Sequence, residues 1–237
     1  MSKRAVILAG GKGTRLRPYT IVLPKPLMPI GEYPILEIII RQLVFNSFDH
    51  ITLTVNHHAE IIKAFFGDGE KWGVKIDYSF ENEPLSTMGP LKFIKDLPND
   101  FLVMNGDILT DLEYKTFYDD HVIKKNLFTI SSYKRKVKSD FGVLEFDKNN
   151  TLISFEEKPI ACYDVSMGIY MVNKQVLDYI PENTFYGFDY LMIDLMNNNE
   201  KPKVRKFNGY WLDIGKPEDY AIANNLFQNN SKQFLKD

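Results

Sequence analysis

The feature that most restricts this fold is an alternation of short apolar runs with helical patterns along the N-terminal half. Residues 5–8, 51–55 and 101–104 read as buried strands, and residues 75–78 as a half-buried one. Between them, Pro34 suits the first turn of a helix. Ile35, Leu36, Ile38, Ile39, Leu43 and Val44 then give an apolar face at helical spacing through Asn46. Residues 59–66 repeat the pattern, and residues 89–97 predict a short helix. Strands alternating with helices at this spacing predict right-handed βαβ units, hence an α/β, Rossmann-like, mostly parallel mixed sheet flanked by helices. Ligands of such sheets sit beyond the carboxyl ends of the strands.

The second half changes character. Residues 111–125 read as a helix and 127–133 as a strand. Residues 141–146 and 152–157 flank Asp147-Lys148-Asn149-Asn150, which is turn chemistry for a hairpin and predicts a small antiparallel insertion. A strand over 165–172, helices over 174–180 and 189–196, and short strands over 203–207 and 210–212 follow. A closing helix over 217–227 has Pro at its first turn, and the polar tail 228–237 is expected to fray. With no linker, repeat or low-complexity tract, residues 1–227 read as one continuous domain.

The apolar run at 5–8 breaks into Leu8-Ala9-Gly10-Gly11-Lys12-Gly13-Thr14-Arg15-Leu16-Arg17. Glycines let a backbone approach a ligand closely, and amides beside cations can seat phosphates. The P-loop pattern fails, since no Gly-Lys-Ser/Thr occurs, and the dinucleotide fingerprint fails at Leu16. Pro18, Pro24, Pro26 and Pro29 argue against a helix directly after the turn. A phosphate-facing loop of another kind and a plain surface turn both remain open. Pro24, Pro26 and Pro29 are expected to hold their segment extended, with Lys25 aimed at a defined point or simply solvated.

Asp107, after a strand and Gly106, suits either an N-cap or an Mg²⁺ ligand. Asp213 has a similar setting. Two such aspartates raise a shared metal site, because Mg²⁺ is held by one or two carboxylates plus substrate phosphates. Glu156-Glu157-Lys158-Pro159 reads locally as a solvated turn. His57 and His58 lack a second ligand cluster for zinc, His50 and His121 sit in surface-like contexts, and no G-x-S-x-G elbow supports acyl transfer.

The 237 residues, 44% apolar and 25% charged, are those of an ordinary soluble protein. A formal charge of −2 gives no general attraction to nucleic acid or to a membrane surface. The single cysteine, Cys162, excludes an internal disulfide and reads as a packed strand residue in a reducing compartment. The first strand starts too early for a signal peptide, and no apolar run approaches the roughly 20 residues of a membrane span. The expected location is cytoplasmic.

Several motifs now coincide in order. Leu8-Ala9-Gly10-Gly11-Lys12-Gly13-Thr14-Arg15-Leu16, Pro24-Lys25-Pro26-Leu27, Asn105-Gly106-Asp107, Glu157-Lys158-Pro159 and Asp213 resemble the sugar-1-phosphate nucleotidyltransferases, or sugar-nucleotide pyrophosphorylases. The resemblance runs from Ala5 to about Ala223 and implies the nucleotide-diphospho-sugar transferase fold. It puts a nucleotide-binding half at about 1–110 and a sugar-binding half at about 111–227. It also implies that a nucleoside triphosphate and a sugar 1-phosphate give a nucleoside diphosphate-sugar and pyrophosphate. By the family's pattern, residues 8–11, Gly13 and Thr14 line the nucleotide, Arg15 neutralises the triphosphate, and Lys25 bridges the nucleophilic and α-phosphates. Lys158 holds the sugar phosphate, Glu157 and the backbone near Gly142 and Gly168 meet the sugar, and Asp107 and Asp213 hold Mg²⁺. Family members of this length are often dimers, and with no C-terminal β-helix no appended hexapeptide domain is expected.

The base-reading segment on this resemblance is Glu81-Asn82-Glu83-Pro84-Leu85-Ser86-Thr87-Met88-Gly89, with Glu83 facing the base and Gly89 lining its pocket. A carboxylate only accepts hydrogen bonds, which suits the N1–H and N2–H₂ of guanine. The pattern is similar to guanylyltransferases for mannose-like (mannose, heptose or hexosamine) 1-phosphates, although Ser86 and Met88 replace the small residues usual there. Thymidylyl, uridylyl or cytidylyl transfer remains the alternative. A catalytically silent binding homologue would be expected to lack one of Arg15, Lys25, Asp107 and Asp213.

Overall fold

Strand β1 (Arg4–Leu8) is buried in the middle of the sheet, and the chain winds outward from it. The computed structural model describes residues 2–11, 13–56, 58–81 and 83–236. After β1 come the short β2 (Pro29–Ile30) and β3 (Tyr33–Pro34), then α1 (Ile35–Phe45), β4 (His50–Val55), α2 (Ala59–Phe66) and β5 (Lys75–Phe80). The chain next crosses to the other side of β1 with β6 (Asp100–Asn105), followed by β7 (Ile108–Thr110) and α3 (Tyr114–Ile123). It continues through β8 (Phe128–Lys138), β9 (Val143–Phe146), β10 (Leu152–Glu156) and β11 (Ile160–Asn173). Helix α4 (Phe188–Asn197), β12 (Lys203–Phe207), β13 (Trp211–Asp213) and α5 (Pro217–Phe234) complete it.

The seven-stranded sheet has the order β12-β8-β11-β6-β1-β4-β5. Strands β6, β1, β4 and β5 run parallel, as does β12 beside β8, while β11 is antiparallel to both β6 and β8. Alternation divides the core in two. Ala5, Ile7, Leu102 and Met104 face α1, α3 and α5 on one side, whereas Val6, Phe101 and Val103 face Leu191 and Leu195 of α4 on the other. The reversal of winding at β1 and β6 leaves a crevice beyond their carboxyl ends. Among the described residues, no helix is long and apolar enough to cross a membrane.

Several expectations are corrected. Residues 89–97 form only a 3-10 segment, Gly89–Phe93, in which Pro90 supplies no amide for a longer ladder. The proline-flanked Lys25 sits in a 3-10 turn, Lys25–Leu27, because the φ that proline enforces also suits that turn. The tail does not fray through Phe234: α5 kinks at Asn230 and continues, and Phe234 packs buried against Phe227. Cys162 is exposed, since its part of β11 extends past the helices. His121 is buried on the inner side of α3, with Nδ1 2.7 Å from Thr129 Oγ1, while His50 pairs with Asp77 at 2.7 Å.

Candidate active site

A cleft of about 460 Å³ opens in that crevice. Leu8, Gly10 and Gly11 enter it from the end of β1 and the turn after it, Thr54 from β4 and Asn56 from just past it, Glu81 from just past β5, Asn105 from the end of β6 and Asp107 from just past it. The edges are tied by backbone bonds: the Gly106 amide donates to Leu8 O and the Ala9 amide to Thr54 O, each at 3.0 Å. Ala9 is itself buried against the core.

The loop after β1 is anchored by the residue that broke the dinucleotide fingerprint. Leu16 is fully buried, and its amide donates to Gly13 O at 2.9 Å, closing the 3-10 turn Thr14–Leu16. Gly13 has φ of 61°, and a Cβ there would sit 3.0 Å from Thr20 Cγ2 and 3.4 Å from Lys25 Cβ. Glycine is therefore needed for backbone and for space. Thr14 and Arg15 stay exposed on the outer side of the turn.

Arg15, Lys25, Asp107 and Asp213 converge here. Lys25 Nζ is ion-paired with Asp107 Oδ2, and Asp107 Oδ1 is buried with no hydrogen-bond partner among the described residues. Asp213 ends β13, which pairs antiparallel with β7 just after Asp107, and the Ile214 amide donates to Asp107 O at 3.0 Å. A Cβ built on Gly215 would lie 3.5 Å from Asp213 Oδ2 and 3.6 Å from the Arg15 guanidinium carbon, which places these groups side by side. Burial pushes the Asp213 carboxyl up, the negative charge of Asp107 adds to this, and Lys25 and Arg15 oppose it. Among the described residues no group of three or more His, Cys, Asp or Glu is placed to hold a metal. The two aspartates stand as a pair.

On the base side, the carboxylate that lines the cleft is Glu81, and Glu83 is exposed outside it. Strand β5 ends at Phe80, and the Glu81 amide still donates to Val55 O at 2.9 Å, which keeps its side chain at the sheet edge. Glu81 Oε2 accepts from the Leu85 amide at 3.4 Å. Burial raises its pKa, partly offset by that bond and one to Thr54. Ser86 and Thr87 line the cleft as well, Ser86 with φ of 65°. Gly89 does not line it. A Cβ there would lie 2.9 Å from Thr184 O, so this glycine serves close packing. The half-buried strand read over residues 75–78 points towards Glu81, but it runs two residues further, to Phe80.

The sugar-side residues divide. Gly168 has φ of 71° at a register shift between β11 and β8, and a Cβ on it would lie 2.6 Å from Asn105 Nδ2, at the cleft. Gly142, Glu157 and Lys158 lie together at the base of the β9–β10 hairpin: a Gly142 Cβ would be 3.1 Å from Glu157 Oε2, and Lys158 Nζ is 3.9 Å from Glu157 Oε1. No hydrogen bond or ion pair among the described residues joins that trio to the cleft, and Glu157 and Lys158 are exposed. Lys12, His57 and Asn82 lie outside the described residues.

Comparison with known proteins agrees with this architecture. The chain is 35% identical to the D-glycero-alpha-D-manno-heptose 1-phosphate guanylyltransferase of Campylobacter jejuni, over 92% of this chain and 96% of that one. It is also 35% identical to the UTP–glucose-1-phosphate uridylyltransferase of Synechocystis, over 93% of this chain. It spans 62% of the length of the Synechocystis relative and 64% of several other curated relatives it matches. Among solved structures, HddC from Yersinia pseudotuberculosis, complexed with GMP-PN, superposes with a TM-score of 0.70 at 28% identity, covering 95% of this chain and 99% of that one. The family model described as nucleotidyl transferase matches residues 4–230, and the chain belongs to that family.

Proposed function

We propose that the chain is a sugar-1-phosphate nucleotidyltransferase that takes GTP and a mannose-like (mannose, heptose or hexosamine) 1-phosphate to a GDP-sugar and pyrophosphate. The observation that most supports this is the meeting of Arg15, Lys25, Asp107 and Asp213 beside a cleft lined by strand ends and a glycine turn. An oxygen of the sugar phosphate attacks the α-phosphorus, and the bond to the pyrophosphate oxygen breaks opposite. That nucleophile is already largely ionised at neutral pH, so the reaction needs no general base. The work left to the protein is positioning and charge stabilisation.

Lys25, rigidly seated in its proline turn, presents its ammonium to the α-phosphate and its attacker. Arg15, on the exposed side of the loop, takes up charge on the departing pyrophosphate. Asp107 and Asp213 would hold Mg²⁺: the Asp107 Oδ1, buried with no hydrogen-bond partner among the described residues, and the adjacent Asp213 carboxyl suit such an ion. That ion would supply Lewis-acid neutralisation of phosphate charge. Glu81 reads the base, accepting from guanine N1–H and N2–H₂, and Glu157 and Lys158 meet the sugar and its phosphate. The exposed thiol of Cys162 suits a reducing compartment, and we place the reaction in the cytoplasm.

Uridylyl transfer is the second reading, favoured by the uridylyltransferase relative from Synechocystis. Uracil offers Glu81 only N3–H, one donor where guanine offers more. A pyrophosphate-release panel of nucleoside triphosphates against several sugar 1-phosphates separates the two. Highest kcat/KM with GTP and a mannose-like 1-phosphate is expected; preference for UTP overturns the guanine assignment, and silence with every pair overturns the reaction.

A further inference from the structure

Helix α4 lays one row of side chains over the outer strands of the sheet. Phe188, Met192 and Met196 follow one another at a helical turn's spacing, while Leu191 and Leu195 take the core. Beneath the row, the register sets Val204 of β12 beside Ile130 of β8, and Ser132 of β8 beside Ser166 of β11. These side chains line a pocket of about 490 Å³. That matches the active cleft in size and falls within the roughly 300–1,000 Å³ of small-molecule sites.

The floor of this pocket holds one group that the fold leaves unserved. Ser132 is 4% exposed, and its Oγ is buried with no hydrogen-bond partner among the described residues. Ser131, on the opposite face of the strand, does find one, donating to Ile169 O at 2.7 Å. A buried hydroxyl without a partner is costly and calls for one. The carboxylates at the rim are already met, Asp164 by Lys206 at 3.7 Å and Glu200 by the Tyr179 hydroxyl at 3.1 Å. Lys201, the remaining charge there, is exposed.

We propose that this pocket is a second ligand site, for a small neutral molecule with a flat apolar body and one hydrogen-bonding group. The Phe188 ring and the two methionine thioethers suit a flat π face. Ser132 Oγ supplies the polar contact. Occupancy is transmitted to the active cleft through the pocket wall. Ser166 Oγ accepts from the Gly168 amide at 3.2 Å and lies 3.1 Å from the Tyr170 hydroxyl. The Tyr170 ring stacks on Phe188 at 4.6 Å, and the Phe188 amide donates to Thr87 Oγ1, in the cleft, at 2.8 Å. A molecule that bonds Ser132 and packs on Phe188 therefore bears on the bulge at Gly168.

The test uses indole as the probe, with the full chain labelled at methionine methyl groups and backbone amides for NMR. The Met192 and Met196 methyl signals are expected to shift saturably, with half-saturation at about 1 mM, ordinary for so small a molecule. Those of Met104 and Met171, in the core on the other face of the sheet, are expected to stay in place. The Gly168 amide is expected to shift with the same half-saturation. Ser132→Ala is expected to weaken binding about fivefold with an unchanged thermal midpoint, since the hydroxyl holds nothing else in place. Val204→Trp, at a residue 59% exposed on an edge strand, is expected to fill the mouth of the pocket and abolish the shifts. Absence of saturable shifts at Met192 and Met196, or binding that survives Val204→Trp, overturns the site. Undiminished affinity in Ser132→Ala overturns the role of that hydroxyl, and binding that leaves the Gly168 amide unmoved overturns the transmission.

Discussion

The amide of Ile214 donates to the carbonyl of Asp107 at 3.0 Å, so the two aspartate-bearing segments are locked together by backbone before any ligand arrives. Their carboxylates are held close enough that Asp107 helps raise the pKa of Asp213. Asp107→Asn and Asp213→Asn keep that backbone bond while removing charge. Each is expected to lower metal-dependent pyrophosphate release by about 10²–10³-fold, with the circular dichroism spectrum unchanged. Turnover near wild type in either variant removes that residue from the site.

Glu81→Gln tests the base. Replacing an acceptor-only group with an amide turns part of its edge into a donor. The expected loss in kcat/KM for GTP is about 10–100-fold, the equivalent of 1–3 kcal/mol of base discrimination, with a smaller loss for UTP. Glu83→Gln, outside the cleft, is expected to change neither. Steady-state kinetics with both nucleotides reads the difference.

Gly168→Ala tests the join between β11 and the cleft. The added Cβ would meet Asn105 Nδ2 at 2.6 Å, and φ of 71° is costly for alanine. A destabilisation of about 1–3 kcal/mol is expected, measurable by urea unfolding.

Phe234→Ala tests the docked end of α5. The ring is 1% exposed, stacks on Phe227 at 6.0 Å, and its carbonyl accepts from Gln42 Nε2 at 2.9 Å. Removing it is expected to cost about 3–5 kcal/mol, read as a lowered denaturant midpoint.

Alkaline pH tests the second core cluster. Burial pushes the Tyr170 hydroxyl up to about 12, above the value near 10 of an unfolded tyrosine. A raised folded pKa means that its contribution is complete below about pH 10 and is lost as pH climbs towards about 12. Unfolding free energies measured across that window are expected to fall, and less steeply in Tyr170→Phe.

Much of this was legible in the amino-acid sequence. The apolar runs of β1, β4 and β6 and the periodic face of α1 marked the sheet and its cover, and Asp147-Lys148-Asn149-Asn150 marked the hairpin. Other features depended on where elements end in space. Which of Glu81 and Glu83 reaches the cleft is decided by β5 stopping at Phe80. The tail looked polar because its outward residues are Gln, Asn, Ser and Lys, while Phe227 and Phe234, a near-whole number of turns apart, face inward. His121 looked like a surface residue because nothing near it in sequence announces Thr129 and Asp100 as its partners. The convergence of Arg15, Lys25, Asp107 and Asp213 came from motif order, and only the β7–β13 pairing gives it a physical cause.

Strand β11 is one unbroken 14-residue segment with two different surroundings. Its inner half is clamped between β6 and β8, while its outer half projects with the far end of β8 as an arm bearing the hairpin. Between the halves lies the bulge at Gly168, resting on Asn105. One continuous backbone thus serves both as a wall of the cleft and as the root of the arm that bears the hairpin.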